Sequence, residues 1–143
     1  MRYFLLFLFI AISSIGFSQS KEININWDGY RVFSTSSAQF EIPYFNNHNF
    51  NFTPSKGISL SVQWSENIEI DHNSIVIENV TFSDITTENL KQLDKNIIPN
   101  ELTYDIRTSI SRGKIYLFLE LFPLINQNGN FKKVNSFRFS YKK

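Results

Sequence analysis

Residues 112–141 read RGKIYLFLELFPLINQNGNFKKVNSFRFSY, and the fold class turns on this stretch. In an extended chain Ile115, Leu117, Leu119 and Leu121 fall on one face. Tyr116, Phe118 and Phe122 fall on the other, where only Glu120 is polar. A strand apolar on both faces is normally covered on both, so this one is expected to be central and doubly buried. Pro123 has no N–H to give a ladder and is expected to end the strand. Asn126-Gln127-Asn128-Gly129 has turn chemistry, because Asn and Gly tolerate positive φ. Beyond the turn, Phe137, Phe139 and Tyr141 alternate with Ser136, Arg138 and Ser140, the pattern of a half-buried strand. The two strands are expected to pair as a hairpin with a loop somewhat longer than two residues. The final strand is expected to be a sheet edge, with Phe137, Phe139 and Tyr141 partly exposed for a partner or a second copy.

Upstream, strand period recurs. Leu102, Tyr104, Ile106 and Ile110 alternate with mostly polar residues and lead through Arg112-Gly113 into the central strand. Ile58, Leu60, Val62 and Trp64 alternate with Ser59, Ser61 and Gln63, and Ile75–Phe82 reads as a further strand. Ile23, Ile25 and Trp27 open the pattern, with Asp28-Gly29 expected to turn the chain back onto Tyr30–Phe33. Gln39–Ile42 is a short strand that Pro43 assigns to an edge or an end. The segment from Thr86 to Leu93 is the one helix expected, with Thr86 or Thr87 able to cap it and Glu88 in its first turn. About eight strands, with turns at sandwich spacing, give an all-β, antiparallel β-sandwich-like domain with one short helix near 87–93.

Residues 1–18 read as a secretory signal peptide. Arg2 precedes an apolar run, Tyr3–Ile12, that is too short to span a bilayer, and Gly16-Phe17-Ser18 places small residues for cleavage before Gln19. Residues 19–143 are expected to form a single β domain, the N-terminal fragment of a longer protein, since the chain stops directly after a strand. The 15 Phe, 6 Tyr and 2 Trp of the sequence supply enough apolar surface for a two-layer core. With 0 Cys the chain has no disulfide, thiolate metal site or cysteine nucleophile. Export without disulfides suits the periplasm, outer membrane or cell surface of a Gram-negative bacterium. Acids crowd Glu66–Glu101, opposed only by Lys91 and Lys95, and bases crowd Arg107–Lys143, opposed only by Glu120. Two solvated faces that attract weakly account for this. Alternatively, the basic C-terminal stretch docks an anionic partner such as lipopolysaccharide.

Chemistry-bearing residues are sparse. His48 and His72 sit in Asn-rich polar loops, and one His beside Asp71 with Glu69 nearby is a weak metal pattern. The carboxylate pairs Glu66/Glu69 and Asp84/Glu88 lie in no apolar setting that would tune an acid or a base. Phosphate-cradling, dinucleotide, zincin and nucleophile-elbow motifs are missing. The expectation is therefore no catalytic, cofactor or metal residue and no enzymatic activity. Most aromatics alternate as core residues do. Tyr44, Phe45, Phe50 and Phe52 instead flank the polar loop Asn46–Asn49. They would either stack on sugars or anchor a protein partner, or else fold back as a lid over the sandwich end. Nucleic-acid binding is disfavoured by a net charge of +1 and by export.

The run YLFLELFPLINQNGNFKKVNSF at 116–137, with WDGY at Trp27–Tyr30, SIVIENVTF at Ser74–Phe82 and the following LKQLDKNIIP, resembles the N-terminal β region of PorU-like proteins. These are gingipain-type cysteine peptidases that serve as sortases of the type IX secretion system. The resemblance covers most of residues 19–143. It implies a non-catalytic pro-region or scaffold domain. Its partners would be the peptidase domain of the parent protein or outer-membrane secretion components. The catalytic Cys and His of the family belong to a later domain, so no catalytic role carries over to any residue here.

Overall fold

Alternating residues from Ile58 to Trp64 and from Leu117 to Leu121 become two neighbouring antiparallel strands, and the domain is built around them and one later strand. The computed structural model describes residues 18–45, 49–66 and 70–142, without the side chains of Glu66 and His72. The segment expected to be a signal peptide, apart from Ser18, lies outside the described residues, as do His48, Glu69 and Lys143. The strands are β1 (Ser18–Asn24), β2 (Trp27–Ser34), β3 (Gln39–Phe45), β4 (Phe50–Thr53), β5 (Gly57–Glu66), β6 (Val76–Asp84), β7 (Thr103–Ser111), β8 (Lys114–Phe122), β9 (Leu124–Gln127) and β10 (Asn130–Lys142). The fold is all-β and antiparallel. Ten strands are described where the sequence suggested about eight: Phe50–Thr53, read as the flank of a loop, forms β4, and Leu124–Gln127 forms β9, while Pro43 stays inside β3.

The strands form two sheets and a ribbon. In sheet I, β10 is the middle strand. β9 and β1 follow each other along one side of it and β6 runs along the other. Sheet II has the order β4-β5-β8-β7, and β2 and β3 make a separate ribbon. Sheets I and II face each other through a shared core. Trp64 of β5 packs at 4.6 Å from Phe139 and 5.9 Å from Tyr141 of β10, ring centre to ring centre. Leu60, Leu117, Leu119, Leu121, Phe137 and Phe139 are all but inaccessible to solvent. Burying such side chains is worth roughly 1.5–3 kcal/mol each. The ribbon closes one end: the Trp27 indole donates to the Val134 carbonyl at 2.8 Å, and Phe33 stacks on Phe50 of β4.

Three turns follow the sequence closely. Ser111 lies opposite Lys114, and the two residues between, Arg112 and Gly113, both have positive φ. This is the turn whose twist matches that of paired strands. Asn128-Gly129 repeats the device between Gln127 and Asn130, and the Asn126 side chain accepts from the Gly129 N–H at 2.8 Å. The Pro54–Lys56 turn joins β4 to β5.

Elsewhere the structure corrects the expectations. β8 and β10 do not pair. At Pro123 the chain leaves sheet II and enters sheet I, so the two strands face each other from opposite layers; the hairpin there is β9–β10, with a two-residue loop. β10 is therefore no edge, and Phe137, Phe139 and Tyr141 lie in the core. β8 is central in its sheet but buried on one face only: Leu117, Leu119 and Leu121 are inside, while Tyr116, Phe118, Glu120 and Phe122 remain half-exposed. Asp28-Gly29 is a bulge within β2, marked by the register shift between Trp27 and Tyr30, and β1 pairs with β10 instead of β2.

The segment 87–93 forms no α-helix. It makes a single 3₁₀ turn, Glu88–Leu90, and a second such turn follows at Lys95–Ile97. So short a segment gains too few hydrogen bonds to offset helix nucleation, and its residues are used in tertiary contacts instead. Leu90 and Leu93 enter the core, and Gln92 pairs with the Glu41 backbone in both directions, at 2.5 and 3.1 Å.

Candidate docking surfaces

The aromatics expected to serve a partner divide into three fates. Phe137, Phe139 and Tyr141 are buried and unavailable, because β1 and β6 occupy both sides of β10. Phe45 is buried too, held edge-on against Trp27 at 5.2 Å and Phe50 at 4.8 Å. Tyr44, Phe50 and Phe52 are half-exposed and form a shelf with Phe33 and Phe40. Arg31 lies over this shelf, 5.2 Å from the Tyr44 ring and 5.7 Å from the Phe33 ring. A guanidinium over an aromatic face is attractive, and it also occupies the surface a sugar would need. Phe33, Phe40, Phe50 and Phe52 of the shelf pack against the core, as a lid would, and leave Tyr44 half-exposed beneath Arg31.

A second aromatic surface is not legible in the sequence, where the apolar pattern of β8 predicts cover on both faces. On the outer face of sheet II, Tyr116 stands between Ser65 and Ser109, and Phe118 between Gln63 and Arg107. Further along the same row Glu120 stands between Ser61 and Asp105. The two serines beside Tyr116 are too short to cover its ring, and Phe118 stays half-buried between the polar chains of Gln63 and Arg107. Asp105 and Glu120 are directly opposite across β7 and β8, a repulsive placement. Arg107 offsets it, lying 3.3 Å from the Asp105 carboxylate and 3.6 Å from that of Glu120. The buried Ser59 hydroxyl donates to Glu120 at 2.9 Å, fixing the carboxylate from the other side. Where β8 ends, a surface recess of about 390 Å³ is lined by Phe122, Glu120, Asp105, Thr103, Ile97 and Pro99, with Ser55 and Lys56 at its rim. The recess thus combines one aromatic ring, Phe122, with two carboxylates that Arg107 and Ser59 already engage.

The remaining sequence candidates do not converge. Asp84 is exposed at the end of β6, and Glu88 is exposed in its 3₁₀ turn. Among the described residues no group of three or more His, Cys, Asp or Glu side chains is placed to hold a metal ion. The bases of the C-terminal stretch are interleaved with acids: Arg138 sits between Glu22 and Glu78 in the strand register, and Lys132 opposite Asp84. Lys133 instead covers the Trp27 ring at 5.5 Å. No described helix is long and apolar enough to cross a membrane. Comparison with protein-family models, with curated proteins and with solved structures finds no match to this chain.

Proposed function

We propose that this chain is the non-catalytic N-terminal β domain of a type IX secretion sortase-like cell-surface peptidase, acting as a scaffold or pro-region. The observation that carries this is where the resembling stretches fall. Residues 116–137 contain most of β8, one of the two inner strands of sheet II, the switch at Pro123 and much of the middle strand of sheet I. Ser74–Phe82 supplies most of β6, which pairs with β10, and Trp27 ties the ribbon to Val134. The resemblance therefore lies in residues that build the framework, which is what a shared structural role requires. The peptidase domain would dock on the exposed face of sheet II, where the rings of β8 are left half-open.

The test is co-expression of the 143-residue chain with the peptidase portion of a type IX sortase, followed by co-purification. A stable complex weakened by Phe118→Ala supports the proposal, and no association under any condition overturns it. The recess at Phe122 favours a second reading, a free-standing secreted module for glycan or protein. Binding of the chain to a glycan or to lipopolysaccharide, lost in Phe122→Ala and unaccompanied by peptidase binding, would establish that reading instead.

A further inference from the structure

Open sheets expose strand edges, and folded proteins blunt them with short strands, bulges, prolines or charges. Among the described strands most edges here are blunted. β4 has only 4 residues. β6 is bent by register shifts, with Asn79 at positive φ. β1 carries Lys21 in the row that faces the core.

β7 is different. Its 9 residues run in unbroken register with β8, without bulge or proline, and no described strand pairs with its other side. Its core-side row is Tyr104, Ile106, Thr108 and Ile110. Ile106 packs on the core, while Tyr104 is 42% and Ile110 77% exposed.

We propose that β7 is a self-association edge. Two copies pair their β7 strands antiparallel about a two-fold axis at Ile106, joining two copies of sheet II into one continuous sheet. The inference is independent of the sortase reading. It rests on the self-complementarity of the strand. Directly opposed residues of an antiparallel pair share a face, so a two-fold perpendicular to the sheet must pass through a residue. Centred on Ile106, Asp105 of each copy meets Arg107 of the other, giving two cross-strand ion pairs. On the inner face Ile106 meets itself, Tyr104 meets Thr108, and the exposed Ile110 meets Leu102.

Other centres do worse. Centring on Asp105 or Arg107 sets like charges face to face. Centring on Tyr104 or Thr108 leaves one or both charges opposite Ser or Thr. The Arg107 side chain is well exposed, and its five N–H donors suffice for carboxylates on both copies. A second copy is thus the occupant whose charge and apolar pattern this edge matches.

Sedimentation of the full chain over a wide concentration range should show a reversible monomer–dimer equilibrium. Arg107→Asp and Asp105→Arg, each alone, place like charges in opposition and should weaken the dimer roughly tenfold or more. Mixed together, the two variants should recover a one-to-one heterodimer, which a merely destabilised fold would not do. The chain has 0 Cys, so Ile106→Cys introduces the single thiol. Mild oxidation should link it to its copy across the axis, and should not link Ser109→Cys. A chain that remains monomeric throughout overturns the proposal. So does a dimer indifferent to both charge reversals, or faster linkage at position 109 than at 106. Protection of β7 amides from hydrogen exchange only upon addition of a peptidase partner would also overturn it, assigning the edge to that partner.

Discussion

β8 and β10 are both middle strands, and only Pro123 and the short strand β9 lie between β8 and the turn that opens β10. β8 has the more apolar sequence, yet it is no better enclosed than β10: each gives one row of side chains to the core and leaves the other half-buried. β10 has strands along both sides and places Val134, Phe137, Phe139 and Tyr141 in the core. β8 likewise has partners on both sides and gives its leucine row to the core; the difference is that its outward row is aromatic, where that of β10 is polar. The apolar content of a strand states how much surface it offers for burial. Which rows are used depends on how many layers the fold supplies, and here there is one layer opposite, not two.

That contrast can be broken at graded positions. Phe139→Ala removes a ring that is 0% exposed and packed, tilted, against Trp64, and should cost about 3–5 kcal/mol in chemical denaturation. Leu119→Ala, on the buried row of β8, should cost about 2–5 kcal/mol. Gly113→Ala puts a side chain where φ is +74° with open space around it, so only backbone strain is added, about 1–2 kcal/mol in the same measurement. Phe118→Ala, on the outer row, should cost about 1 kcal/mol, since the ring is only half covered. A loss equal to that of Leu119→Ala would mean that the outer face is covered after all. Ser61→Ala, which gives up an exposed hydrogen bond from Asn51, should stay within about 0.5 kcal/mol of the parent midpoint.

Much of the framework was legible because it is local. The Ile58–Trp64 alternation and the two-residue turns at Arg112-Gly113 and Asn128-Gly129 each depend on residues close in sequence, and each stands as chemistry predicts. What was not legible is long-range. Alternation tells which side of β10 is buried but not that β1 and β6 lie beside it, so Phe137–Tyr141 read as an open edge. Pro123 reads as the end of a strand, and nothing nearby states that the next strand joins the other sheet. Asp28-Gly29 has the residues of a turn, and a bulge uses them equally well. The half-buried aromatic row of β8 is hidden for the same reason: Tyr116, Phe118 and Phe122 look like core until the number of layers is known.

The pairing of β1 with β10 has a kinetic consequence. β5, β7 and β8 can find one another through short loops or modest separations, whereas β1 must wait for a strand at the far end of the chain. Until β10 arrives, the leucine row of β8 and the ring of Trp64 have no opposite layer, and sheet II is a half-formed surface. Such non-local closure places folding in the range of about milliseconds to seconds, as in other sandwiches of high contact order. A chain that cannot finish its core before its last strand is made leaves the apolar face of sheet II uncovered until the final residues of β10 are in place.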